Sequence, residues 1–212
     1  MPGNDDMNNT ELVRLYDDYA RDMYENFKKV LAQIPCEAPP DQRYSLARGC
    51  ADCERAYKRW LCTVTIPRCE DIFSPNQYGV IRNIGKEFPN GTKLPPEMRL
   101  GYEDNPYFNS ARNLELDDKI KPGPYKEVLP CDDICYEVVQ SCPAAMEFAC
   151  PRPGWTAFNI SYAERDPPGS QEVRCSFPGQ SRTRKSTAPG MASPLTLLLG
   201  FTPLAALLAL LL

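Results

Sequence analysis

The chain has 212 residues, which is enough for one medium-sized domain with tails, and 42% of them are hydrophobic, which is enough for a core. Its 24 basic and 28 acidic residues give a net charge of −4, without a Lys/Arg block dense enough to follow a phosphate backbone, which argues against nucleic acid as a partner. The chain contains no histidine, which removes Ser/His and Cys/His catalysis and His-ligated metal sites.

The first predicted element is a helix between Thr10 and Ile34, where apolar residues recur every three or four positions. Asn9 or Thr10 is its expected cap, and Pro35 ends it. Acidic residues gather at the start of the chain, where we interpret them as a solvated helix face: Asp5, Asp6, Glu11, Asp17, Asp18 and Asp22. We treat residues 1–35 as an N-terminal amphipathic helix that packs on its own domain, with a longer region upstream of Met1 as the alternative packing partner. Because the first residues resemble no secretion signal, we expect Met1 to be an internal methionine of a longer secreted protein or a mispredicted start.

The central region, 36–175, holds all ten cysteines, and three Asn-x-Ser/Thr sequons begin at Asn8, Asn90 and Asn159. An even cysteine count with sequons is typical of an oxidising, glycosylating compartment, so we predict a disulfide-stapled extracellular domain with these asparagines as glycosylation sites. Spacing alone leaves the disulfide pairing open.

Two further helices are predicted inside this region. One runs from about Ala51 to Cys62, and the other begins near Asp132 or Asp133, which suit an N-cap. The second helix carries one stripe of four side chains: Cys135, Val138, Val139 and Cys142. The domain is therefore expected to be mainly helical, and disulfides from these helix faces are expected to join each helix to its neighbours.

The stretch 70–130 contains no cysteine but has eight prolines and five glycines, and we interpret it as a long inserted loop. Its aromatic residues argue against disorder, so we expect it to wrap the core or to grip a partner. The candidate partner anchors are the rings of Tyr78, Tyr102, Tyr107, Phe108, Tyr125, Trp155 and Phe158. The alternative is that these rings pack within their own domain.

The C-terminal part divides into a polar spacer, 176–193, and an uncharged apolar tail, 194–212. Small residues, a spacer and an apolar end are typical of a cleaved glycolipid-anchor signal, which we favour over a membrane-spanning helix. The candidate attachment residues are Gly179, Ser181 and Ser186.

Enzymatic and metal-binding interpretations are weak. Cys50-Ala-Asp-Cys53 has oxidoreductase spacing, but a structural role is favoured, and a zinc site is unexpected in an oxidising compartment. Asp117-Asp118 and Asp132-Asp133 offer oxygens without a calcium-loop motif. The sequence therefore predicts neither an enzyme nor a cofactor or metal site.

Two cysteine blocks carry a family resemblance. Cys53-x8-Cys62-x6-Cys69 and Cys131-x3-Cys135-x6-Cys142 resemble a frizzled-type cysteine-rich domain, apart from the long stretch between Cys69 and Cys131. The resemblance implies five disulfides: Cys36–Cys69, Cys50–Cys62, Cys53–Cys142, Cys131–Cys175 and Cys135–Cys150.

A more specific resemblance rests on Tyr-Ser-Leu-Ala-Arg (44–48), Ala-Tyr-Lys-Arg-Trp-Leu-Cys-Thr-Val-Thr-Ile-Pro-Arg-Cys (56–69), Phe-Pro-Asn-Gly-Thr (88–92) and Cys-Asp-Asp-Ile-Cys-Tyr-Glu-Val-Val-Gln-Ser-Cys-Pro (131–143). These blocks resemble the cysteine-rich region of fungal stretch-activated calcium-channel regulatory subunits. The resemblance implies an auxiliary subunit that docks on a four-repeat pore subunit and supports high-affinity calcium influx. It also implies the outer face of the plasma membrane, with the endoplasmic reticulum as a second location.

A different class of function stays open beside this one. A lipid-anchored cell-surface adhesin or ligand-binding module would hold a sterol, lipid or haem without any channel. The two hypotheses predict different surfaces, because a ligand-binding module needs an apolar cavity or open groove whereas a docking subunit needs an exposed aromatic patch.

Overall fold

A computed structural model describes residues 7–35, 38–45, 47–168, 170 and 172–179. The helices are α1 (Asn9–Leu31), α2 (Cys50–Thr65), α3 (Pro96–Arg99), α4 (Leu114–Ile120), α5 (Asp132–Ser141) and α6 (Thr156–Asn159). The strands are β1 (Arg68–Glu70), β2 (Val80–Arg82) and β3 (Tyr125–Val128), and a 3₁₀ turn covers Ala144–Met146.

The first helix confirms the prediction from periodicity, but its cap lies earlier than expected. Asn8, rather than Asn9 or Thr10, is the N-cap: its side-chain oxygen accepts from the Glu11 N–H at 3.0 Å. The Glu11 carboxylate accepts from the Asn8 N–H at 3.1 Å, which completes a reciprocal capping box. Asp17, Asp18 and Asp22 are exposed, as a solvated face requires. Asp5 and Asp6 lie outside the described residues.

The main core lies where α1, α2 and α5 meet. Its buried members are Phe27, Leu31, Cys53, Ala56, Val138 and Cys142. The rings of Phe27 and Tyr57 stack with their centroids 3.8 Å apart, which fixes α1 against α2. The apolar stripes that sequence periodicity reveals are therefore the surfaces that pack.

The predicted bounds of α2 and α5 need small corrections. Helix α2 is longer than the predicted 51–62, and the N-cap of α5 is Cys131, so Asp132 and Asp133 lie in the first turn. Carboxylates there interact favourably with the positive helix end. Val139 was assigned to the apolar stripe of α5 but is 40% exposed.

Three of the disulfides that the frizzled resemblance implied are present: Cys53–Cys142, Cys131–Cys175 and Cys135–Cys150. The implied Cys50–Cys62 pair is wrong, because both residues belong to one continuous helix, twelve residues or about 18 Å apart, far beyond disulfide reach. Cys50 forms a different disulfide and Cys62 is a free thiol. Cys69 is also free, which contradicts its implied bond to Cys36, a residue outside the described set.

The fold is mixed α/β rather than mainly α. Strand β3 lies between β1 and β2 and is antiparallel to both, with Cys69 opposite Glu127 and Ile81 opposite Lys126. The sheet is built largely from the stretch 70–130, so this stretch is not the irregular loop that its prolines suggested. We name residues 70–130 the insert. The domain boundaries at 35, 175 and 193 stay predictions, as does the frizzled-like fold.

Candidate docking surface

The insert has a small hydrophobic core of its own. Ile72, Ile84 and Leu94 are buried there. Partly buried apolar side chains surround them: Ile81, Phe88, Met98, Tyr102, Tyr107 and Phe108. Because the insert buries these rings itself, it forms an ordered surface on one side of the helical core.

A buried ion cluster attaches the insert to the segment 160–174, which follows α6. Glu127 on β3 is 1% exposed, and its two carboxylate oxygens accept from Arg82 Nε at 2.7 Å and from Arg112 Nε at 3.0 Å. Each guanidinium also donates to the segment 160–174, Arg82 to the carbonyl of Ile160 and Arg112 to that of Ser161. Buried charges are stable only when they are paired in this way, so the cluster specifies one arrangement of insert and core.

A second attachment lies on the same side of the fold. The hydroxyl of Tyr78 donates to Glu172 at 2.7 Å, and the Arg174 guanidinium lies 4.8 Å from the Tyr78 ring centroid. The buried Asn76 amide donates to the carbonyl of Val173 at 3.2 Å. The insert is thus held at both ends of the segment 160–174.

The most exposed apolar side chains of the described chain lie largely on the insert. Phe73 and Leu100 are each 69% exposed and Leu114 is 63% exposed, whereas Trp155, outside the insert, is 61% exposed. Single exposed apolar residues are common on protein surfaces. Phe73, Leu100 and Leu114 are the large apolar residues that the insert leaves exposed, and we take them as the candidate docking surface.

The seven rings predicted as anchors have different positions. Tyr125 and Phe158 are each 5% exposed and pack within the domain. Tyr78 contacts Glu172 and Arg174, and Tyr102, Tyr107 and Phe108 line the core of the insert. Trp155 alone among the seven is largely exposed. Sequence reasoning missed Phe73, Leu100 and Leu114, since exposure has no signal in the sequence.

A polar network lies beneath α4. Asn83, held at a positive φ of 56°, donates from its amide to Asp117 Oδ1 at 3.0 Å, and Lys86 pairs with the other Asp117 oxygen. A cavity of about 20 Å³ next to Asp117 has room for one water molecule. A groove of about 380 Å³ on the other side is lined by lysines and carboxylates, with no aromatic side chain. Neither cavity has the size and apolar lining that a sterol or haem needs.

The other predicted sites lie as follows. Asn8, Asn90 and Asn159 are all exposed, and the Asn90 side-chain oxygen accepts from the Thr92 hydroxyl at 2.7 Å within a turn. Gly179 is exposed at the end of the described chain, whereas Ser181, Ser186 and the tail 194–212 lie outside it.

The carboxylates and cysteines considered as metal ligands do not converge in the described part of the chain. No three His, Cys, Asp or Glu side chains there are positioned to hold a metal ion. Asp117 is paired with Lys86 and Asp133 with Arg165, and Cys53 of the Cys50-Ala-Asp-Cys53 motif is bonded to Cys142. Within the same residues, no helix combines the length and apolar character needed to cross a bilayer.

The two free thiols give a testable prediction about reactivity. Burial, followed by the nearby Glu127 charge, raises the pKa of the Cys69 thiol to about 12. Because the thiolate is the reactive form, we expect alkylation of Cys69 at neutral pH to be roughly a thousandfold slower than that of an ordinary cysteine. Mass spectrometry of alkylated native protein should therefore show Cys62 modified well before Cys69.

Two single variants, Cys62→Ser and Cys69→Ser, assign the labelled sites. Denaturation without a reductant should expose both thiols of the wild-type chain to the reagent. If no thiol reacts even then, both cysteines are in disulfides and the free-thiol assignment is wrong.

Comparison with known proteins shows the family to which the chain belongs. The family model of the Mid1 stretch-activated Ca²⁺-permeable channel component matches residues 1–181. The chain therefore belongs to this family of channel components, which is not a family of enzymes.

Particular relatives are yeast proteins. The chain is 36% identical over 165 residues to the stretch-activated cation channel yam8 of Schizosaccharomyces pombe, which covers 77% of this chain and 29% of the relative. It is 37% identical over 144 residues to the stretch-activated cation channel MID1 of Saccharomyces cerevisiae, covering 68% and 22%. The chain thus spans less than a third of the length of these relatives. No solved structure matches it.

Proposed function

We propose that this chain acts as an extracellular auxiliary subunit of a plasma-membrane calcium channel, docking on the four-repeat pore subunit and supporting calcium influx. Membership in the stretch-activated channel-component family is the observation that carries this proposal. The apolar tail 194–212 would attach the domain to the membrane, through a lipid anchor or as a spanning helix.

The physical basis for docking is a rigid scaffold with exposed apolar side chains. Disulfides hold the helical core, and the ion cluster around Glu127 holds the insert, so little ordering is required when a partner binds. The partner would cover Phe73, Leu100 and Leu114. Burying each of these side chains would contribute about 1.5–3 kcal/mol, which corresponds to at least about tenfold in affinity.

The test is co-purification of the pore subunit with tagged full-length protein from detergent-solubilised plasma membrane. We expect the wild-type chain to bring the pore subunit with it, and the triple variant Phe73→Ser, Leu100→Ser, Leu114→Ser to lose most of it. Since all three side chains are exposed, the triple variant should fold normally.

Helix α1 offers a matched control. Val13 is 57% exposed and Val30 is 48% exposed, so the variant Val13→Ser, Val30→Ser removes exposed apolar side chains outside the insert, although with a smaller area. It should retain the pore subunit. Equal retention by the insert variant would show that the partner binds another surface, and a wild-type protein that is folded but brings no pore subunit would disprove the docking function.

A further inference from the structure

Trp155 is exposed on a turn that lies outside the candidate docking surface. The Trp155 N–H donates to the carbonyl of Arg152 at 3.2 Å, and Gly154 between them has a φ of +87°. Before the turn, Cys150 is bonded to Cys135, and after it the Phe158 ring is buried in the core. The indole is therefore held at the surface by a rigid backbone, where 61% of the residue meets solvent.

A glycosylation sequon begins one helical turn after this tryptophan. Asn159, the last residue of α6, begins the sequon Asn159-Ile160-Ser161, and its backbone N–H donates to the carbonyl of Trp155 at 3.0 Å. Trp155 is the N-cap of α6, and this backbone hydrogen bond holds it one helical turn from Asn159. Both residues are exposed, so a sugar on the Asn159 amide is within reach of the Trp155 indole.

The surroundings of the two residues suit an uncharged sugar. From Phe148 to Ala163 the sequence contains no carboxylate, and Arg152 is its single charge. A hexopyranose ring has one face made of C–H groups, which can lie flat on an indole and remove apolar surface from water. Its hydroxyl groups on the other side stay hydrated.

We propose that Asn159 carries an N-linked glycan whose first N-acetylglucosamine packs against Trp155. In the attachment step the Asn159 side-chain nitrogen loses a proton and bonds to C1 of the sugar, while the bond from C1 to the pyrophosphate of a lipid-linked oligosaccharide donor breaks. The packed sugar closes the α6 surface to protein partners and leaves the insert as the docking surface. This inference rests on the extracellular location in the proposed function.

The experiment compares full-length protein from a eukaryotic host before and after two enzymatic treatments. An endoglycosidase that leaves one N-acetylglucosamine should not change the quenching of tryptophan fluorescence by acrylamide. Complete removal by an amidase should increase the quenching and shift the emission to the red. Trp60, the other tryptophan, is partly buried, and its indole N–H donates to the Tyr162 hydroxyl at 2.8 Å; its contribution should be the same before and after treatment.

Sequon variants complete the test. Ser161→Ala removes the glycan without altering Asn159 or the Ser161 carbonyl that Arg112 binds, and it should reproduce the quenching of the amidase-treated protein. Thr92→Ala removes the Asn90 sequon and should leave the quenching unchanged.

Glycopeptide mass spectrometry separates the possible failures. A glycan at Asn90 with none at Asn159 overturns this inference but leaves the extracellular location standing, whereas three bare sequons overturn both. A glycan on Asn159 whose complete removal leaves the quenching of Trp155 unchanged also overturns the inference.

Discussion

Replacing Glu127 with Gln should cost about 3–5 kcal/mol of unfolding free energy, because it removes the counter-charge of the buried Arg82 guanidinium and of the partly buried Arg112 guanidinium. The side chain keeps its size and shape, but its NH2 group replaces one accepting oxygen and faces an arginine N–H, so the loss reports charge and hydrogen bonding rather than packing. A lower urea midpoint, measured by circular dichroism, is the expected observation.

An exposed ion pair in the same insert serves as the control. Glu87 and Lys93 are 3.3 Å apart and both side chains are at least half exposed, so Glu87→Gln should cost less than about 1 kcal/mol. If the two variants have the same midpoint, the buried cluster does not hold the insert. In the docking assay, Glu127→Gln should also weaken retention of the pore subunit, because the insert would lose its fixed position on the core.

The sequence predicted the helical part of this fold well, and the reason is local. Helices α1, α2 and α5 each place apolar residues on one face over several turns, so their periodicity is visible in a single sequence. The three disulfides of the core came from the family resemblance, which spacing alone would not have supplied.

The sheet was not predicted, because the residues that pair in it are far apart in the sequence. Strands β1 and β2 have three residues each, too few for an alternating pattern, and Cys69 pairs with Glu127 from the far end of the insert. The burial of Glu127 could not be predicted from the sequence either, since a charged residue is normally expected on the surface. Its burial follows from two arginines that the fold brings from other segments.

The insert as the partner-binding segment stays a prediction, and the exposed residues of the insert are not the ones that the sequence suggested. Aromatic content indicated the insert as the binding segment, yet Tyr102, Tyr107 and Phe108 pack into its core. Phe73 and Leu100 are exposed instead. Which apolar side chains a folded unit buries depends on its tertiary packing, so composition can nominate a segment without identifying its contact residues.

The disulfide Cys53–Cys142 should contribute more stability than any shorter cross-link in the described chain. It joins α2 to the end of α5 across a sequence separation of 89, for which restriction of the unfolded chain corresponds to about 4.6 kcal/mol. Cys135–Cys150, with a separation of 15, corresponds to about 3 kcal/mol. The double variant Cys53→Ala, Cys142→Ala should therefore have the lower urea midpoint of the two.

The burial of Cys53 and Cys142 increases the expected difference in stability between the two double variants. Cys53 is 0% exposed and Cys142 is 7% exposed within the core of α1, α2 and α5, so their truncation also removes packed sulfur atoms. A Cys135→Ala, Cys150→Ala variant that is as unstable or less stable would contradict the loop-length argument. Because the docking surface depends on this core, the Cys53→Ala, Cys142→Ala variant should also lose the pore subunit, even though neither cysteine can touch a partner.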